Sequence, residues 1–432
     1  MKLFIAAAAV LALLVGATTA AAKKKPKPVQ TDPAGILNLA AGYKYTVLAQ
    51  TGSPQVASTE NGQSYAMPDD MDANVLVSAG HGDSWLLTVH ELTQPRPAPE
   101  FPGDAGKSAI PELATTDDGD SDGWGSVTRL TLGHDGKTVK KAEVITTGLH
   151  DLCAGTLTPW RTFLVNEEFP FLVDPAKRSG WVWEVNPATG KATRVAGMGW
   201  FSHEQEARLA DGSWILSDDR GNFQFMYRFV PDSPRSLASG KLYALKYDRA
   251  TNTGTWVGPL DPVNAEADAA AKIGSPNTFG FQKAEGVVAT PNGQAVVFSE
   301  SGSGSFAGAV WQLTPTATGV SGKVLVQGDF ATLSRPDNLR FTRAGDLMIA
   351  EDNGSALASA NGGVNEFRVL PKGTSGAAAT VVFATVGGGG EPTGPWFSTN
   401  HKILYLSLQD VNDKSYTLAI TGEKSFAQPY AR

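Results

Sequence analysis

The sequence predicts an all-β protein, a six-bladed β-propeller with rim insertions, and three observations carry that expectation. A short apolar run ending in a carboxylate recurs along the chain: Leu86 to Glu91, Phe163 to Glu168, Trp214 to Asp219, Val296 to Glu300, Leu347 to Asp352 and Leu404 to Asp410. The recurrences lie about 50 residues apart, or about 80 where an insertion intervenes, as four-stranded blades require. Glycine (47) and proline (26) are plentiful and long runs of helical period are hard to find, which suits many short strands joined by tight turns.

In chain order, residues 1–22 read as a secretory signal: Lys2, an apolar run from Leu3 to Val15, then small residues ending at Ala20, Ala21 and Ala22. The expected destination is the periplasm or the exterior, by the general secretory route. Residues 23–36 form a basic, proline-containing leader, and residues 37–432 are expected to form a single β-propeller domain. No later stretch approaches the roughly 20 apolar residues of a membrane span, so no span is expected. The net charge of −7 argues against a nucleic-acid partner. A soluble monomer acting on a small molecule is the expected form.

Within the propeller, partner strands ending in turns follow several of the acid-ended runs, as in Val127 to Gly136, Val182 to Gly190 and Leu242 to Asp248. Two insertions interrupt the repeat. Thr93 to Trp124 is rich in proline and glycine and long enough to cover a channel mouth. It contains Asp118 to Gly123, which resembles the first half of a calcium loop, but Arg129 falls where an EF-hand needs its bidentate glutamate. Either a looser calcium site or a plain acidic loop fits. Residues 257–283 form the second insertion, whose stretch Ala265 to Lys272 is expected to make a short helix of structural use.

In a propeller the innermost strands surround a channel, so equivalent strand ends converge at one mouth. Carboxylates brought together there would repel one another and resist desolvation unless cations compensate them. Oxygen ligands favour Ca²⁺ or Mg²⁺, and an added thiolate or imidazole invites a transition metal. The alternative is that the acids are exposed turn residues. The lone cysteine, Cys153, sharpens the choice: an unpaired thiol in an exported protein is either buried and inert or holds a metal.

The motifs together resemble the bacterial PhoX-type alkaline phosphatases over most of the chain. The run Cys153-Ala-Gly-Thr-Leu-Thr-Pro-Trp-Arg-Thr-Phe-Leu-Val-Asn-Glu-Glu168 is similar to the family's signature, and His90-Glu91, Phe201-Ser-His-Glu204, Asp218-Asp-Arg220, Lys283-Ala-Glu-Gly286 and Arg335-Pro-Asp-Asn338 follow the family's order. The resemblance implies a propeller that hydrolyses phosphate monoesters with iron (Fe³⁺) and calcium (Ca²⁺) ions clustered at the channel mouth. Carried over by residue, Cys153 would bind iron, and Glu91 and Glu204 would bind or bridge iron. Glu167, Glu168 and Glu285 would supply oxygen to calcium or to the mixed cluster, with Asp352 added to the set. Lys283 would take the place of an arginine that holds the substrate phosphate. That exchange is not neutral, because arginine grips two oxygens through a planar fork and lysine offers a point charge. Thr156 and Arg161 replace glycines of the family pattern. His90 and His203 would support neighbouring ligands, and Trp160 would pack.

Two rivals stay open. A calcium-dependent esterase or lactonase of the gluconolactonase kind would suit Glu285 to Gly293 and Pro336 to Phe341, but needs neither Cys153 nor the Glu167-Glu168 pair. A metal-stabilised, non-catalytic binding propeller is the other.

Overall fold

The computed structural model describes residues 29–92, 123–170, 172–174, 177–353 and 364–430. The predicted signal at 1–22, the first part of the leader, and the insertion with its calcium-loop-like residues 118–122 lie outside them. What is described is mostly β-strand in a propeller-like arrangement.

Among the described residues, six units built on at least four antiparallel strands follow one another, the third and fourth joined into one nine-stranded sheet. The first runs through Met71–Gly80, Asp83–His90, Gly123–Leu132 and Val139–Gly148. The second is Leu152–Leu157, Phe163–Glu167, Val182–Val185 and Ala192–Arg194. The third begins with His203–Arg208 and Trp214–Asp218, the fourth with Ala284–Ala289 and Val296–Glu300, the fifth with Pro336–Phe341 and Leu347–Glu351. The last is Glu391–Phe397, Ile403–Gln409 and Tyr416–Gly422, and its fourth strand comes from the other end of the chain: Tyr43–Gln50 pairs with Tyr416–Gly422. The opening strand of each unit touches that of the next, and Glu391–Phe397 returns to Met71–Gly80, so the ring closes.

Each unit is sandwiched between two neighbours, which explains why its second strand reads as an unbroken apolar run. In Phe163–Glu167, Phe163 and Val165 pack with Val75, Leu87 and Trp183 on one side. Leu164 points to the opposite face and packs with Leu216, Tyr227 and Phe229 of the third unit. Both faces are buried, so the alternation of a half-exposed strand is lost. Burying each such side chain contributes roughly 1.5–3 kcal/mol, and the apolar contacts between units hold the ring together.

The short helix of the second insertion forms at Ala265–Ile273. Its alanines favour the helix, Ala265, Ala269 and Ile273 share the buried face, and Gly274 ends it at a positive φ of 104°, its N–H donating to the Ala270 carbonyl (2.9 Å).

Candidate metal centre

One backbone device recurs at the start of the opening strands. Met71 pairs with His90, but the next paired residue is Asn74, opposite Thr88. The same slip occurs between Leu152 and Gly155, His203 and Glu206, Ala284 and Val287, and Pro336 and Leu339. A bulge of this kind re-aims a side chain that regular pleating would send between the sheets. The residues at the bulges are Asp72, Cys153, Glu204, Glu285 and Asp337.

A second position adds to them from the residue just past the second strand. The amide of Glu91 donates to the Asp70 carbonyl (2.8 Å), that of Glu168 to Asp151 (3.0 Å), that of Asp219 to Ser202 (3.0 Å) and that of Asp352 to Arg335 (3.0 Å). Each bond ties an acid to the entry of its own unit's opening strand. The entry residues Asp70, Asp151, Lys283 and Arg335 all take positive φ, between 43° and 51°. Side chains larger than glycine hold that conformation only when the surroundings impose it, a feature that gathers at functional sites.

The outcome is three adjoining groups. Ligand atoms of Asp72, Glu91 and Cys153 lie within 4.8 Å of one another, as do those of Cys153, Glu168 and Glu204, and those of Glu204, Glu285 and Asp337. Cys153 and Glu204 are each shared by two groups. At such separations two charged carboxylates repel by roughly 3 kcal/mol even at an effective dielectric of about 20. Burial alone pushes Asp72 up to about 6, while burial and then neighbouring charge push Asp337 up to about 7 and lift Glu91, Glu168, Glu204, Glu285 and Glu391 well above the carboxylate range. The Cys153 thiol is likewise raised, by burial first and then by Glu204 and Glu91. The cluster therefore holds either protons or cations.

The residue pattern fits cations better than a satisfied polar network does. Both carboxylate oxygens of Glu204 are buried, and the Cys153 thiol, a weak donor, is the one hydrogen-bonding group beside them, with no described nitrogen or oxygen donor. Native interiors rarely leave a carboxylate so. A thiol among carboxylates offers a mixed donor set, soft sulfur for a transition metal and hard oxygen for calcium.

Lys283 enters this ring with its ammonium 3.0 Å from Glu285 Oε1 and 3.2 Å from Asp219 Oδ2, and Glu285 more than any other group holds its proton. Arg335, at the matching position of the next unit, spends its guanidinium on the carbonyls of Ser301 (3.1 Å), Phe306 (2.9 Å) and Gly304 (3.2 Å).

Of the residues singled out in the sequence, Cys153, Glu91, Glu204, Glu168 and Glu285 are brought together. Glu167 requires a correction. Its carboxylate accepts the backbone N–H groups of His150 (3.0 Å), in the connection from the first unit, and of Gly180 (3.0 Å) and Trp181 (3.2 Å), just before its own unit's third strand, because adjacent strand residues point oppositely. It ties the backbone together and is not in the cluster. Asp352 stands outside the three groups but adjoins them, raising Asp337 and Glu391 by its charge. Asp72, Asp337, Glu391 and Asp219 were not among the predicted ligands. The signal available for the first two was their place, like Cys153, at the start of a unit's opening strand.

The histidines beside these acids turn away. His90 bonds the Asp69 carbonyl through Nδ1 (2.7 Å) and Thr128 through Nε2 (2.9 Å), and burial lowers its pKa to about 4. His203 bonds the Gly199 carbonyl (2.9 Å), stacks on Phe201, and is lowered by burial to about 3. Trp160 packs at the edge of the core and donates to Glu184 (2.6 Å).

Fold and site together define a mostly β-strand, propeller-like protein that gathers carboxylates and one thiol at a single end of its axis. The family described as alkaline phosphatase PhoX matches residues 25–411. The chain belongs to that family, whose members are phosphoric monoester hydrolases. Among solved structures, Pseudomonas fluorescens PhoX in complex with vanadate, a transition state analogue, is 17% identical with a TM-score of 0.68, covering 92% of this chain and 97% of that one. A gluconolactonase from Xanthomonas campestris (11% identical, TM-score 0.40, 86% and 98% covered) and virginiamycin B lyase from Staphylococcus aureus (11%, 0.39, 87% and 99%) are less similar. No curated protein matches the sequence.

Proposed function

We propose that this chain hydrolyses small phosphate monoesters at the carboxylate-lined mouth of a six-bladed propeller with rim insertions, with iron and calcium as its resident ions. The observation that carries the reading is Glu204, buried, without a nitrogen or oxygen donor, and within reach of Cys153 and Glu168 on one side and Glu285 and Asp337 on the other. Cys153, Asp72, Glu91, Glu168 and Glu204 would hold iron or bridge it, and Glu285 and Asp337 would bind calcium. Such ions supply charge neutralisation and Lewis-acid stabilisation for in-line displacement at phosphorus.

The chain's own part is positioning and charge. Lys283, held by Glu285 and Asp219, presents an ammonium at the edge of the cluster, where it can hold one phosphate oxygen and offset charge as the ester bond breaks. The binding of vanadate by the Pseudomonas fluorescens protein supports an oxyanion seat of this kind. Residues 1–22 would deliver the chain to the periplasm or the exterior, where calcium is available.

Elemental analysis of the purified protein, alongside release of phosphate from p-nitrophenyl phosphate at alkaline pH, tests the proposal. Calcium and iron with phosphate release are expected. Calcium alone with no release would sink it and leave the lactonase and binder readings.

A further inference from the structure

The ring has a second mouth. The opening strands run from the carboxylate cluster to the opposite face, where their last residues enclose a cavity with lobes of about 440 Å³ and about 290 Å³ that share Leu157, Arg340 and Phe341. Between the two ends, side-chain hydrogen bonds link the opening strands of neighbouring units. Asn74 Nδ2 donates to Ser407 Oγ (2.7 Å) and to the Gly394 carbonyl (3.0 Å), and Asn338 Oδ1 accepts from the Gly394 amide (2.7 Å). None of the residues lining the far cavity belongs to the three ligand groups.

Its charge is opposite in sign. Arg340 lies with its guanidinium 3.6 Å from the centre of the Trp396 ring and makes no hydrogen bond or ion pair with any described residue. Burial lowers its pKa only to about 10, so it stays charged. Arg340 is half-buried, and its guanidinium carries five N–H donors that no described residue engages, free to meet an acceptor in the lobe it lines. Arg161, exposed on the turn before Phe163–Glu167 and held at φ 71°, lines the same larger lobe. The one carboxylate lining that lobe, Asp83, is neutralised by Lys140 at 2.7 Å. Glu206 belongs to the smaller lobe. Trp396, Phe341 and Phe397 give the larger lobe aromatic walls beside the positive charge.

We infer that the larger lobe is a binding site for an oxyanion carried by a small molecule, a phosphate or a carboxylate. Arg340 grips it through a bidentate fork over Trp396, and Arg161 closes on it from the rim.

The test uses the full-length, metal-loaded chain with Lys283→Ala, which removes the cluster's own ammonium. Inorganic phosphate and benzoate are titrated separately by calorimetry. Saturable binding of at least one anion is expected; preference for phosphate or for benzoate identifies which group the site takes. Adding Arg340→Gln should weaken that binding at least tenfold, and adding Arg161→Ala about threefold. Thermal melting checks that each variant is folded, and should Arg340→Gln fail to fold, the exposed Arg161→Ala decides. Binding unchanged in both variants, or no saturable binding of either anion, overturns the inference.

Discussion

Lys283 and Glu285 form an ion pair of 3.0 Å across a single intervening residue, made possible because Lys283 adopts a left-handed backbone (φ 51°) and Glu285 sits on the bulge that follows. Regular strand geometry would place residues at this spacing side by side on one face, but not turned into a channel mouth. The pair keeps the ammonium charged and fixes where it points. Lys283→Met should lower kcat/KM for p-nitrophenyl phosphate by roughly 10–100-fold, the worth of one charge-assisted contact, whereas Lys283→Arg should retain most of it. Equal steady-state constants for Lys283→Met and the parent would refute the assignment.

Glu167 and Glu168 are neighbours with separate tasks, and two measurements distinguish them. Glu167→Ala strands three buried N–H groups and should destabilise the fold by about 2–5 kcal/mol in urea unfolding. Glu168→Gln should leave stability of the metal-free chain unchanged or higher, since it removes one of several repelling carboxyls, while lowering bound metal.

Cys153→Ser should abolish or sharply reduce bound iron and leave calcium largely in place, because a serine hydroxyl is a hard donor with a far higher pKa than a thiol. Elemental analysis reads the ratio. Unchanged iron and unchanged activity would remove Cys153 from the ligand set.

The pH dependence of the metal-free chain follows from the raised acids. Asp72 and Asp337 have folded pKa values of about 6 and about 7, above the 3.8 of an unperturbed aspartate. A proton is therefore bound more tightly in the folded state. The stability this lends is complete below about pH 4 and is lost as pH rises through 6–7. Chelator-treated protein should melt at progressively lower temperature across that window, and added calcium should reverse the trend. A flat profile would mean that the acids are not buried as described.

The propeller-like fold was legible because burial between units makes each second strand uniformly apolar, and because the acid after that strand recurs at blade spacing. The same regularity misled at Glu167. Adjacent acids look equivalent in a sequence, and only the pleat decides that Glu168 faces the axis while Glu167 faces the loops. The bulge positions Asp72 and Asp337 were harder to see for a related reason. A bulge is defined by pairing with a distant strand, so nothing local separates Asp72 from Asp69 and Asp70 before it. The positive φ of Lys283 and Arg335 was equally hidden, since neither residue type favours that conformation by itself.

The pairing of Tyr43–Gln50 with Tyr416–Gly422 has a consequence for how the protein is made. The cluster draws on residues from Asp72 to Asp337 and neighbours Glu391, and the ring that positions them closes only when the last unit takes up its strand from near the start of the chain. A nascent chain still lacking its last hundred residues can display neither a complete set of donors nor a closed channel. If the cluster binds ions as proposed, their capture waits until the last unit is made, and a product truncated before Asp337 lacks part of the donor set.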